Sequence, residues 1–234
     1  MHPLRLFLPI LAATVALPVH AQTYPAIPEP MVFDMVRPLG AKKGELEANT
    51  LGQINLSGRH REVEWAPEVE MALADGFAAE LELPLTDRKV TAYKMGLQGT
   101  FGTLRGGDAV HGVQYLGVYD RADDRWYSSL LYLIGNRLGE RWSSMTMIGI
   151  GDVTFSGPNA SALLLNQSIF YDLGPDTILG IEANYRTGGD RYWLIMPQLH
   201  HDFGPVSMQA GIGATKARGS AVRPRAGLRL IAEF

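Results

Sequence analysis

From Gly44 to the final Phe234 the chain alternates apolar and polar residues with a period of two. The clearest stretch runs from Glu62 to Leu73: Val63, Trp65, Val69, Met71 and Leu73 fall on one face, and Glu62, Glu64, Glu68 and Glu70 on the other. A helix would scatter these residues around its circumference, whereas a strand separates them. Pro67 cannot donate a ladder hydrogen bond, so a bulge or distorted ladder is expected there. Ala74-Asp75-Gly76 then gives a tight-turn signal. Beyond it Phe77, Ala79, Leu81, Leu83 and Leu85 alternate with Glu80 and Glu82, which predicts a β-hairpin.

The rhythm continues through 93–101, 110–119, 126–137, 141–151, 162–171, 177–186, 191–203, 206–215 and 223–234; with the strand that opens at Gly44 and carries Glu45 and Glu47, this gives twelve candidate strands between Gly44 and Phe234. Their connections alternate as well. Turns at 74–76, 137–140, 172–175 and 202–205 are tight, while 120–125, 151–161 and 215–223 are longer and more polar. Tight turns on one rim and longer loops on the other are the asymmetry of an outer-membrane barrel. The predicted fold is therefore all-β: a transmembrane antiparallel up-and-down β-barrel of about twelve strands. Trp65, Tyr93, Phe101, Tyr115, Tyr119, Trp126, Trp142, Tyr185, Trp193 and Phe234 are candidates for an interfacial girdle. A soluble sandwich or lipocalin-type barrel also alternates, but with its apolar face inward.

Composition narrows the choice. The 234 residues carry 21 Lys and Arg against 24 Asp and Glu, a net charge of −3, with no basic run; a nucleic-acid partner is not expected. The absence of cysteine removes disulfides, thiolate nucleophiles and Cys-based metal sites, and no cofactor is expected. A mean hydropathy of −0.01 is too polar for a bundle of membrane helices. Residues 1–21 read as a signal peptide, with Arg5 before an apolar stretch and Val19-His20-Ala21 as the cleavage site. Residues 22–43 contain Pro25, Pro28, Pro30 and Pro38, which forbid a regular strand or long helix. A periplasmic tail is the expected account; the alternative is a plug entering the lumen, with Met31, Val32, Phe33, Met35 and Val36 as its apolar part. Residues 44–234 form the expected barrel.

The run from Ala72 to Leu85, ALADGFAAELELPL, resembles the opening hairpin of outer-membrane transporter-like barrels, in particular the phenol-degradation meta-pathway (MetA-like) family. Outside 62–85 the resemblance rests on strand rhythm and the alternating C-terminal strand. It implies an outer-membrane β-barrel with uptake of small, apolar molecules as its expected role, and it carries over no catalytic or binding residue. The alternating strand that ends on Phe234 also resembles the C-terminal signal by which such barrels engage the outer-membrane assembly machinery, with Ala232 departing from it.

With the apolar face toward outer-membrane lipid, the polar face lines the lumen. Glu45, Glu47, Glu62, Glu64, Glu68, Glu70, Glu80 and Glu82 then form an acidic wall, and Lys94 stands beside Glu80 and Glu82. Closure sets the last strand beside the first, so Arg225 and Arg229 are expected to face Glu45 and Glu47. The expected function is porin-like or transporter-like passage of a small-molecule solute through this lumen, with ion pairs filling a narrow barrel. Two alternatives remain open: a structural barrel working through its loops, and an outer-membrane hydrolase. The hydrolase would need His200 or His111 with a partner such as Ser128, Ser168 or Ser207, yet no residue pattern sets such a serine on a strained turn.

Overall fold

The computed structural model describes residues 23–58, 61–153 and 162–234. The signal peptide and His60 lie outside the described residues, as does most of the loop at 151–161. The first staves are β1 (Leu46–Asn55), β2 (Val63–Ala74) and β3 (Phe77–Glu82), after which β4 (Leu85–Thr86) and β5 (Lys89–Val90) make a two-residue ribbon. The wall continues as β6 (Ala92–Leu104), β7 (Ala109–Asp120), β8 (Arg125–Arg137), β9 (Trp142–Ile150) and β10 (Leu163–Gly174). It finishes with β11 (Thr177–Arg186), β12 (Tyr192–Asp202), β13 (Val206–Ala217) and β14 (Arg223–Glu233).

Setting the ribbon aside, twelve antiparallel staves pair in chain order and β14 returns to β1, with Glu47 opposite Glu233 and Asn55 opposite Arg225. The sheet is closed, so no stave keeps an unpaired edge. Phe234 adds a last bond, its amide donating to the Leu46 carbonyl at 2.9 Å. Tight turns and both ends of the wall share one rim, the periplasmic side in barrels of this kind.

The two prolines of the first hairpin act on the β3 side. β2 runs unbroken through Pro67, which lies opposite Thr50 of β1. β3 stops at Glu82, just before Pro84; the Leu83 amide still donates to the Pro67 carbonyl at 2.9 Å, and paired residues along β2 resume at Leu85 opposite Trp65. Neither proline has an N–H to offer, and the distortion predicted at Pro67 lies in this break.

The outer surface is the apolar one. Leu81, Ile181, Ile195, Ile212 and Leu228 are exposed at mid-stave, and Leu81 is 71% accessible. Such a continuous apolar exterior is a surface for lipid. Aromatics gather toward the rims: Tyr93, Tyr119 and Trp126 are in successive contact at the loop rim, and Trp142 packs on Tyr171 at the turn rim (4.8 Å between ring centres). Tyr115 instead sits at mid-stave, opposite Leu97 and Leu130.

Candidate functional site

The lumen is built from the inward residues of every stave together with residues 24–43, which lie inside it. Four prolines keep that segment from pairing as a strand, so its backbone groups need other partners. Side chains of the wall supply them. At the segment's innermost point the Glu182 carboxylate accepts the amides of Val32 (3.0 Å) and Phe33 (2.6 Å). Gln114 accepts the Val36 amide at 3.0 Å and donates to the Asp34 carbonyl at 2.9 Å, while Gln98 donates to the Arg37 carbonyl at 2.6 Å. Nearer the turn rim, Thr100 accepts from Gly40 and Asp75 from Lys43, both at 2.9 Å.

Apolar contacts complete the seat. Ile27, Met35, Val36 and Leu39 join Leu131, Leu133, Met145, Met147 and Phe170 in one buried cluster, and Met31 packs with Leu194 and Met196. Inward glycines make the room. A Cβ at Gly96 would stand 2.6 Å from Val36, and one at Gly211 or Gly227 would stand 2.9 Å from Met31. These staves are shaved where the segment passes.

The acidic residues of the first staves sit at different depths. Glu62 precedes β2 and is exposed, and Glu45 is half-buried, while Glu47, Glu68, Glu70 and Glu80 are buried. Lys94 lies 3.2 Å from Glu80 and is also paired with Glu82 and with Asp34 of the inner segment. Oxygens of Asp34, Glu68, Glu80 and Glu82 come within 4.8 Å of one another, and the cation among them is the lysine of this chain.

The arginines of β14 meet partners other than those expected. Arg229 contacts Glu68 (2.9 Å), Glu70 (3.3 Å) and Glu29 (3.4 Å), and Arg225 pairs with Glu64. The cause is register: Arg229 lies opposite Leu51, four residues beyond the level of Glu47, and reaches across β1 to β2. Glu45 and Glu47 are instead met by Arg37 of the inner segment. The spacing of charges on the strands carries no sign of this, because it depends on the stagger with which the sheet closes.

The candidate hydrolase residues are engaged elsewhere. His111 is on the outer face, its Nδ1 2.9 Å from the Tyr132 hydroxyl, and His200 is inside, edge-on to Phe170. Ser168 donates to Asn166 at 3.4 Å, and none of Ser128, Ser168 and Ser207 bonds to His200 among the described residues.

Above the inner segment the lumen opens toward the loop rim. A cavity of about 320 Å³ lies between Asp34, Glu64, Glu68, Lys94 and Arg229, and a larger one of about 610 Å³ is bounded by β11 to β14. On the outer side of the broken hairpin, a groove of about 780 Å³ is lined by Val69, Leu81, Tyr93 and Leu230 and reaches Glu82 and Lys94.

No family model matches the sequence, and no curated protein matches it either. Solved structures do. A KdgM porin superimposes with a TM-score of 0.60 at 9% identity, covering 80% of this chain and 99% of that one. An outer membrane channel from Pseudomonas putida F1 gives 0.60 at 14% identity, over 84% and 97%. What is shared is the barrel. An active-site mutant of outer membrane phospholipase A from Escherichia coli also matches, at 0.50 and 14% identity over 86% and 95%, so both channels and an enzyme are built on this fold.

Proposed function

We propose that the protein is an outer-membrane channel for small solutes, reached by export through the signal peptide, and that residues 23–43 close its periplasmic half at rest. The carrying observation is how that segment is held. Its amides and carbonyls are bonded by Glu182, Gln114 and Gln98, side chains that water can replace, and not by a backbone ladder. A segment held this way can leave its seat while the closed sheet stays intact. Similarity to solved porins and channels supports the passage role, and Phe234 is the proposed contact for the assembly machinery.

The absence of cysteine allows a clean test. The double variant Val36→Cys/Gly96→Cys joins segment and wall where their side-chain positions nearly touch. In planar bilayers it is expected to give discrete conductance steps when reduced and none when oxidised. Steps unchanged by oxidation overturn the closure. Silence in both states, from a barrel whose gel migration is heat-modifiable, overturns the channel itself.

A second reading is favoured by the groove at the broken hairpin, where lipid-facing Leu81 and lumen-facing Glu82 border the same space. In that reading an apolar solute crosses sideways through the wall, in keeping with the resemblance of residues 62–85 to the MetA-like barrels. Uptake of an apolar dye into liposomes carrying the oxidised, non-conducting variant is its expected signature.

A further inference from the structure

The large cavity at the loop rim has a sign opposite to that of the whole chain. Arg186 at the end of β11, Arg191 before β12, Arg218 after β13, and Arg223 and Arg225 on β14 all line it, with Glu64 and Asp190 as the carboxylates among the described residues. The protein as a whole is net negative, at −3. Five guanidiniums around one cleft concentrate positive potential there, because low-dielectric walls focus field lines into it.

Most of this charge is not spent on internal pairing. Among the described residues, Arg225 alone of the five stands in an ion pair, with Glu64. The Arg186 guanidinium lies over the Tyr192 ring, 5.6 Å from its centre, and its Nε is buried without a hydrogen-bond partner. A guanidinium stacked by its face presents its donors edge-on, in the planar fork that matches a carboxylate. The floor differs in character: Val32 of the inner segment, buried Leu194 and the Tyr192 ring give an apolar surface beneath the arginine ring.

We infer that this cavity is a binding site for small carboxylates with an apolar or aromatic body, the carboxylate on Arg186 and its rim neighbours and the body on Val32, Leu194 and Tyr192. The inference deepens the channel reading by naming the class of solute the mouth collects, and its volume of about 610 Å³ limits that solute to a small molecule. A bare anion would use the arginines and leave the floor idle. A neutral analogue would meet the floor but leave the guanidinium charges without a counter-charge.

The test is calorimetric titration of the folded full barrel in detergent with four probes: benzoate, benzyl alcohol, benzylamine and inorganic phosphate. Benzoate is expected to bind, with an affinity that falls as salt is raised. Arg186→Gln is expected to weaken it by about tenfold or more, the loss of one charge-assisted pair. Arg218→Gln, at the exposed rim, serves as a second variant should Arg186→Gln fail to fold, and weakens it less. Benzoate binding no tighter than benzyl alcohol, or unchanged in the folded variants, overturns the site. Phosphate binding as tightly as benzoate overturns the role of the apolar floor. Because binding is read without current, silence in the bilayer leaves this site standing, and loss of benzoate binding leaves the disulfide test of closure untouched.

Discussion

Arg225 and Arg229 leave the same face of the same strand four residues apart, yet they belong to different halves of the lumen. Arg229 is buried under the inner segment among Glu29, Glu68 and Glu70, and its Nε donates to Asn49 at 3.1 Å. Arg225, itself buried, stands in the arginine ring of the open mouth, where its partner Glu64 keeps 51% of its side chain accessible. The chemistry of the two residues is identical. What differs is what each would leave behind. Removing a charge from a dry cluster strands its partners, while removing one beside water lets the partner hydrate.

That contrast sets the order of expected effects. Arg229→Ala leaves several buried carboxylates facing one another and is expected to cost about 3–5 kcal/mol of stability, the usual cost of breaking a buried ion pair from one side. Denaturant unfolding of the barrel in micelles measures it. A cost near that of a surface substitution would show that water already fills the inner half. Next comes Glu182→Ala. It removes the acceptor for the Val32 and Phe33 amides and for the side-chain amides of Asn166 (3.2 Å) and Asn184 (2.8 Å). Leaving buried donors unmet costs about 1–3 kcal/mol. Here the loss is expected to appear as unseating of the segment. Faster hydrogen exchange at 30–37, with the staves still protected, is the readout. Exchange rising equally in the staves would mean that segment and wall unfold as one unit.

Arg225→Ala is expected to cost less than Arg229→Ala, about 1–2 kcal/mol: the accessible Glu64 carboxylate can hydrate, while loss of the buried guanidinium leaves the Gln53 amide oxygen (2.7 Å) without its donor. The same unfolding experiment, run beside Arg229→Ala, makes the comparison internal. Equal losses for the two variants would abolish the distinction between the halves.

The twelve staves were legible because period-two alternation survives in a wall that meets lipid on one side and polar groups on the other. The partners of Arg225 and Arg229 were not, because they follow from the stagger of β14 on β1 and not from spacing within a strand. The seat of residues 24–43 left fainter traces. Gln98, Gln114, Asn166 and Glu182 are polar residues at inward positions, and Gly96 and Gly211 are inward positions with no side chain at all. Each has an ordinary explanation in a barrel; only together do they describe a lumen shaped around something. The arginines of the mouth are spread over residues 186–225, and it is barrel closure that gathers them.

The last expected effect is a pH dependence of the inner half alone. Glu29 belongs to the inner segment, outside the spanning staves. Burial first, and then the nearby Glu47 carboxylate, push its pKa from 4.5 up to about 8, with Arg229 and Arg37 pulling against them. A carboxyl that holds its proton more tightly when seated than when free favours the seated state most at low pH. This contribution is full below about 4.5, is lost progressively as pH rises toward 8, and is gone above it. The segment should therefore leave its seat more readily at pH 9 than at pH 5. In bilayers this reads as a rise in open probability with pH, and Glu29→Gln, which cannot ionise, should flatten it. The same slope in the variant would assign the titration to other groups, and a rise confined to benzoate binding at the mouth would move it to the outer half.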